Sequence, residues 1–256
     1  MNNHANLQAT DESKVLLETS LATYQDCMSR IWKELYRLSS NLFILERLLQ
    51  FRSDLFLELQ KTDFLSLVTV NLIHDSCLIT TKLVTDTGNK LTMSRFHNWL
   101  KKNIRPEYSA SFDESFRKSG YKKTVQAVRQ KIEPLRDTYL AHLIIDDQMH
   151  PPPETEIAYQ ELRDICDQLV EYFNLHSFGC EYKMLPLGYD PTVIHPSGVD
   201  KRPDIEYVLD LIVQDSDLYN MPEKSPYWQV FKDTLPSGTV DVINQYRQKF
   251  GKQPSL

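Results

Sequence analysis

Arg136 and His142 flank the stretch Arg136-Asp137-Thr138-Tyr139-Leu140-Ala141-His142. The arginine is charged at any physiological pH, and histidine is the side chain best suited to carry protons near neutrality. Metal-free cleavage of RNA needs both kinds of group. A base takes the proton of a 2′-hydroxyl, an acid returns one to the leaving 5′-oxygen, and a forked cation holds the extra charge of the transition state. One histidine serves one proton transfer at a time, so this chemistry favours two copies.

On an ideal helix Leu135, Tyr139 and Leu143 form a core-facing stripe. Arg136 and His142 then lie just past its two edges, roughly 120° apart and about 9 Å along the axis. They do not meet within one helix, but they border one groove when a second helix covers the stripe. A homodimer would place two of each around a two-fold axis. Structural readings stand beside the chemical one. Arg136 could pair with Asp75 or Asp164, His142 could bond a carbonyl inside a core, and Asp137 is a favourable acid in the first turn after Pro134.

The elements that must carry these residues read as helices. Apolar positions recur at helical spacing from Asp11 to Leu59, with breaks expected near Ser39-Ser40-Asn41 or Phe51-Arg52-Ser53-Asp54. A second helix is expected from Thr62 to about Thr85, capped by Thr62 or Asp63 and ended by Thr87-Gly88-Asn89. Thr92-Met93-Ser94 opens a short helix that stops before Arg105-Pro106. A third long helix spans Asp113 to Ile132, and Pro134 forces a kink or restart of a segment reaching Ile145. Another amphipathic pattern runs from Glu154 to His176.

These units predict an all-α fold, an antiparallel four- or five-helix bundle over residues 11–177 behind a frayed tail, 1–10. Residues 178–204 are rich in proline and glycine and read as a linker or surface loop. Residues 205–256 form a small, mostly helical C-terminal region, either an appendage or a second domain, with helices at Ile205 to Val213, Pro226 to Lys232 and Thr239 to Phe250.

Only seven glycines in 256 residues argue against a turn-rich β fold. The four cysteines, Cys27, Cys77, Cys166 and Cys180, are scattered without metal-like spacing, so no metal, cofactor or disulfide framework is expected. A polar N-terminus without a signal-peptide core, and no apolar run of membrane-spanning length, point to a cytoplasmic protein with no membrane partner.

The net charge of −6 excludes a general nucleic-acid binder, but the distribution is uneven. From Arg95 to Arg136 eleven Lys/Arg face four Asp/Glu, a local +7, which leaves −13 on the rest. Lys101, Lys102, Arg105, Lys122, Lys123, Arg129 and Lys131 are therefore the candidate RNA contacts, unless they merely solvate helix faces. Phe96, Trp99, Tyr108, Phe112, Phe116 and Tyr121 interleave with them and could stack on bases, although their spacing suits a core. His74-Asp75 reads as a polar position on a partly buried helix, and His97, His150, His176 and His195 as structural or exposed.

The phrase Leu-Arg-Asp-Thr-Tyr-Leu-Ala-His (135–142) resembles the Arg–polar–His signature of the HEPN superfamily. Together with His74 to Leu100 it is similar to the abortive-infection branch, over roughly residues 11 to 176. The resemblance implies a helical bundle that dimerises through the motif helix. It assigns phosphate and transition-state binding to Arg136, the polar position to Asp137 and acid–base work to His142. Many members are metal-independent ribonucleases of toxin–antitoxin or antiphage systems, which implies an RNA target and a cognate antitoxin or nucleotidyltransferase partner. Others bind nucleotides, RNA or proteins without cleaving. Thr138-Tyr139 departs from the branch, which often has a basic residue there. The expectation is thus an endoribonuclease with a dimer-interface site, with a non-catalytic binding module as the alternative.

Overall fold

The computed structural model describes residues 11–50, 59–85, 90–135, 157–178, 182, 204–215, 217–221, 225–232 and 239–251. Among these the fold is all-α, with no strand and one isolated bridge, Leu16 to Ile104. Two compact units emerge: Met1–Leu42 with Leu72–Pro186, and Phe43–Asn71 with Leu187–Leu256. This division takes residues 43–71 out of the expected 11–177 bundle and groups them with the C-terminal region.

In the first unit, Asp11 caps a single turn, α1 (Glu12–Val15), by accepting from the Ser13 amide at 2.9 Å. The expected long helix does not start here. Leu16 and Leu17 turn extended, and the Leu17 amide donates to the Asn103 carbonyl at 3.0 Å. The long helix α2 (Leu21–Gln50) follows and runs unbroken through Ser39-Ser40-Asn41. There the Ser40 hydroxyl bonds back to the Tyr36 carbonyl, so its polarity is satisfied inside the helix. Tyr24, Met28, Ile31, Leu35, Leu38 and Leu42 recur every three or four residues and are buried as one stripe.

α3 (Leu59–Val84) starts upstream of the expected Thr62 or Asp63 cap. Buried Ser76, Thr80 and Thr81 each donate to the carbonyl one turn earlier, which lets an otherwise apolar helix hide hydroxyls. Phe64–Val84 is long and apolar enough by composition to cross a membrane, which corrects the expectation that no such run exists. Its C-terminal part is core helix, with Ile79, Leu83 and Val84 buried. Asp75 faces α2, accepting from Arg37 at 2.5 Å and Asn41 at 2.7 Å, while His74 is exposed.

α4 (Met93–Asn103) is capped by the Thr92 hydroxyl, as its sequence predicts. Met93, Phe96, His97 and Leu100 form its buried edge. The expected helix over Asp113 to Ile132 is instead two, α5 (Pro106–Ser119) and α6 (Tyr121–Leu135). Gly120 separates them in a left-handed conformation, φ 69°, that ends α5 and turns the chain. A Cβ there would meet no neighbour, so Gly120→Ala tests the backbone alone. A loss of about 1–2 kcal/mol in urea unfolding is expected, and Gly120→Asn should recover part of it. Pro134 lies in the last turn of α6. α7 (Tyr159–Asn174) packs on α6 and buries Leu162, Ile165, Cys166, Leu169, Tyr172 and Phe173.

The second unit is built on α8 (Asp204–Gln214), α9 (Asp217–Asn220), α10 (Pro226–Lys232) and α11 (Thr239–Lys249). Val213, Tyr219, Trp228 and Ile243 make its core. Arg247 is buried against Trp228, 4.9 Å from the ring centre, and donates to the carbonyls of Tyr219 (3.3 Å) and Met221 (2.9 Å). The two-pronged pair of Arg47 with Glu206 fixes α8 to the end of α2.

Candidate functional site

The α4–α5–α6 corner gathers the charge that the sequence concentrates between Arg95 and Arg136. His97 lies one turn before Lys101 on α4, so the ring turns inward while the ammonium stands at the rim. Phe112 and Phe116 bury one face of α5 and leave Asp113 and Arg117 beside it. Gly120 then folds the chain so that Lys122 and Lys123 open α6 on the same side. The result is a cavity of about 440 Å³ with His97 and Phe116 in its wall and Lys101, Arg117, Lys122 and Lys123 around it. Among the described residues Asp113 is the only acid in its lining and holds Lys101 at 2.7 Å, while Arg117 pairs with Glu114 on its own helix. With His97 neutral, the lining carries +3.

Beneath the cavity sits a cluster that the sequence reading missed. His97, 6% exposed, and His176, fully buried, approach to 5.7 Å between ring centres. Phe116 contacts both, at 4.2 and 4.7 Å, and Phe96 and Phe112 complete the wall. Burial pushes the His97 imidazole down to about 4, helped by the Lys101 charge and opposed by Asp113. Burial likewise drives His176 well below the ordinary histidine value, with the charge of His97 acting the same way and a hydrogen bond to the Tyr172 backbone opposing. Both rings are neutral at pH 7. The aromatics of the belt, whose spacing suits a core, are thus sorted: Phe96, Phe112 and Phe116 are core, Trp99 and Tyr108 are half-buried, and the Tyr121 side chain lies outside the described residues.

The seven candidate RNA contacts fall into distinct settings. Lys102, Lys122 and Lys123 are exposed, and among the described residues no acid pairs with them. Lys101 shares its charge with Asp113. Arg105 faces the protein instead, donating to the carbonyls of Leu16 (3.0 Å) and Ser13 (3.4 Å). Arg129 pairs with Glu133 at 2.7 Å, and Lys131 pairs with Glu161 of α7. The belt is therefore open at the start of α6 and neutralised towards its end. A second cavity of about 430 Å³ runs along α6, where Lys122 stands at one end and the Arg129–Glu133 pair at the other.

Arg136, Asp137 and His142 lie outside the described residues, as do His150 and His195. Of the acids considered for Arg136, Asp75 is engaged by Arg37 and Asn41, and Asp164 is exposed and accepts from Gln160 at 2.8 Å. Leu135 lies thirteen positions after Lys122 on α6, about 20 Å along the axis. Among the described residues no group of three His, Cys, Asp or Glu has the arrangement to hold a metal ion. Cys77 and Cys166 are buried free thiols, pushed by burial to about 11 and about 12, and Cys27 is half-buried. Against known proteins, no family model, no curated protein and no solved structure matches this chain.

Proposed function

We propose that this chain binds the phosphate backbone of single-stranded RNA at the α4–α5–α6 corner. The carrying observation is a cavity whose described lining carries +3 on a chain of net charge −6, with two of its four cations, Lys122 and Lys123, neutralised by no described acid. Phosphate oxygens can replace the Asp113 carboxylate on Lys101 at little cost, because an exposed pair of this kind contributes at most about 1 kcal/mol. The partner is RNA, and the HEPN-like resemblance of Arg136 to His142 supports that choice over other polyanions.

Binding of a labelled oligouridylate should weaken as salt rises. Lys122→Glu with Lys123→Glu should cost at least about tenfold in affinity and lower the log–log salt slope by about 1.4, the share of two single-strand phosphate contacts. Unchanged affinity in that variant would reject the site.

The endoribonuclease reading has its own support, the Arg136–His142 spacing, and places a homodimer and cleavage at the motif end of α6. Purified protein would then cut RNA in EDTA and leave 2′,3′-cyclic phosphate ends, with His142→Ala inactive but still binding through Lys122 and Lys123. Wild-type protein that binds RNA and never cuts it would leave the binding module alone.

A further inference from the structure

We propose that a groove between α2 and the end of α3 docks an acidic peptide segment anchored by one apolar side chain. This surface is separate from the RNA cavity and does not rest on it. The groove encloses about 490 Å³. Arg30 and Lys33 rise from α2, Lys82 from α3, and Lys90 from the approach to α4. Ile31 and Leu83 are buried beneath them, and Leu91, 36% exposed, offers apolar surface. Sequence counting passed over these cations because they lie outside the Arg95–Arg136 belt.

The rim is weakly compensated. Arg30 pairs with Asp26 one turn earlier on an exposed helix face, and Lys82 lies 3.8 Å from Glu34. Among the described residues no acid pairs with Lys33 or Lys90. The groove lining is thus +3 on a chain of −6, a local field that steers an acidic partner to this place.

One atom narrows the chemistry. Glu34 Oε2 is buried at the groove, 3.8 Å from the Lys82 ammonium and short of a hydrogen bond, so an anion that draws Lys82 away leaves it in need of a donor. An occupant must bring anionic groups to the cations, an apolar group to Leu91 and a donor to Glu34. A nucleic acid carries donors on its 2′-hydroxyls and bases but no aliphatic side chain to set against Leu91. A peptide offers all three: carboxylates, a side chain, and backbone N–H groups.

The test uses the full chain and a fluorescein-labelled peptide of Glu-Leu-Glu repeats, read by anisotropy. Its Gln-Leu-Gln analogue and a labelled oligouridylate serve as comparisons. Saturable binding of the Glu peptide is expected, with the Gln analogue at least about tenfold weaker. Lys33→Glu with Lys90→Glu should lose the Glu peptide by at least about tenfold and leave oligouridylate binding within about twofold. Lys122→Glu with Lys123→Glu should do the reverse, which separates failure here from failure of the RNA reading. Leu91→Ser should weaken the peptide about fivefold through lost apolar contact. Should charge reversal disturb the helical circular dichroism, Lys33→Gln with Lys90→Gln carries the same comparison. Equal binding of the Glu and Gln peptides overturns the proposal. So does unchanged affinity in the Lys33/Lys90 variant, or oligouridylate affinity that falls with that variant.

Discussion

Lowering the pH from about 7 to about 4 should strip on the order of 3 kcal/mol from the first unit through His97 alone. The sign follows from where the protons go. An unfolded histidine binds its proton near pH 6.5, whereas folded His97 resists protonation until about 4. Between these values the unfolded chain holds more protons than the folded one, so stability falls as the pH falls. Above about 6.5 both forms are neutral and the contribution is complete. His176 shifts in the same direction and adds to the loss. Urea midpoints measured across this range should drop steeply, and His97→Phe with His176→Phe should flatten the dependence while keeping aromatic volume beside Phe96, Phe112 and Phe116. An equally steep dependence in the double variant would show that other groups drive acid unfolding.

Trp228→Ala should destabilise the second unit by about 3–5 kcal/mol. The ring is fully buried at the centre of the Val213, Tyr219 and Ile243 cluster, and the Arg247 guanidinium stacks on it. Truncation opens a cavity and leaves that buried cation without its aromatic neighbour. Calorimetry should show the effect, with Trp228→Phe losing much less because a ring remains. The wild-type chain offers a direct probe as well. Trp32 and Trp99 belong to the first unit and Trp228 to the second, so Trp228 fluorescence reports the second unit by itself when the other two are replaced by Phe. A loss under about 1 kcal/mol would show that the ring is not central to this core.

Much of the fold was legible because amphipathic stripes and caps are local. Thr92 before Met93, Phe96, His97 and Leu100 announces α4 with no tertiary information. The α7 stripe from Leu162 to Phe173 is equally plain. Where the reading failed, one long-range partner or one backbone angle decided the outcome. The helix expected from Asp11 stops at Val15 because Leu16 and Leu17 pair with residues near Ile104, far away in sequence. The apolar stripe changes phase at Gly120, since Phe116 and Val125 would face opposite sides of one continuous helix, and the left-handed turn there makes two helices of the stretch read as one.

Charge was legible as a sum and not as a distribution. The sequence places a local +7 before Arg136, but Arg105 turns to backbone carbonyls and Lys131 finds Glu161 across a helix contact. The Arg129–Glu133 pair, one turn apart, could have been anticipated from spacing. His97 and His176 gave no sign of their pairing, since seventy-nine positions separate them and neither sits in a motif. The Arg136–Asp137–His142 set lies outside the described residues, so its expected roles pass to the cleavage assay.

Arg105 also sets where the chain can be shortened. Its guanidinium and amide take the carbonyls of Ser13, Val15 and Leu16, while Ser20 holds the Asn103 side chain at 2.7 Å. Trimming before Asp11 leaves this stitch whole. Trimming past Leu17 removes the acceptors and strips Leu16, fully buried, from the core. Products of limited proteolysis that begin beyond Leu17 should therefore come from molecules that have already opened.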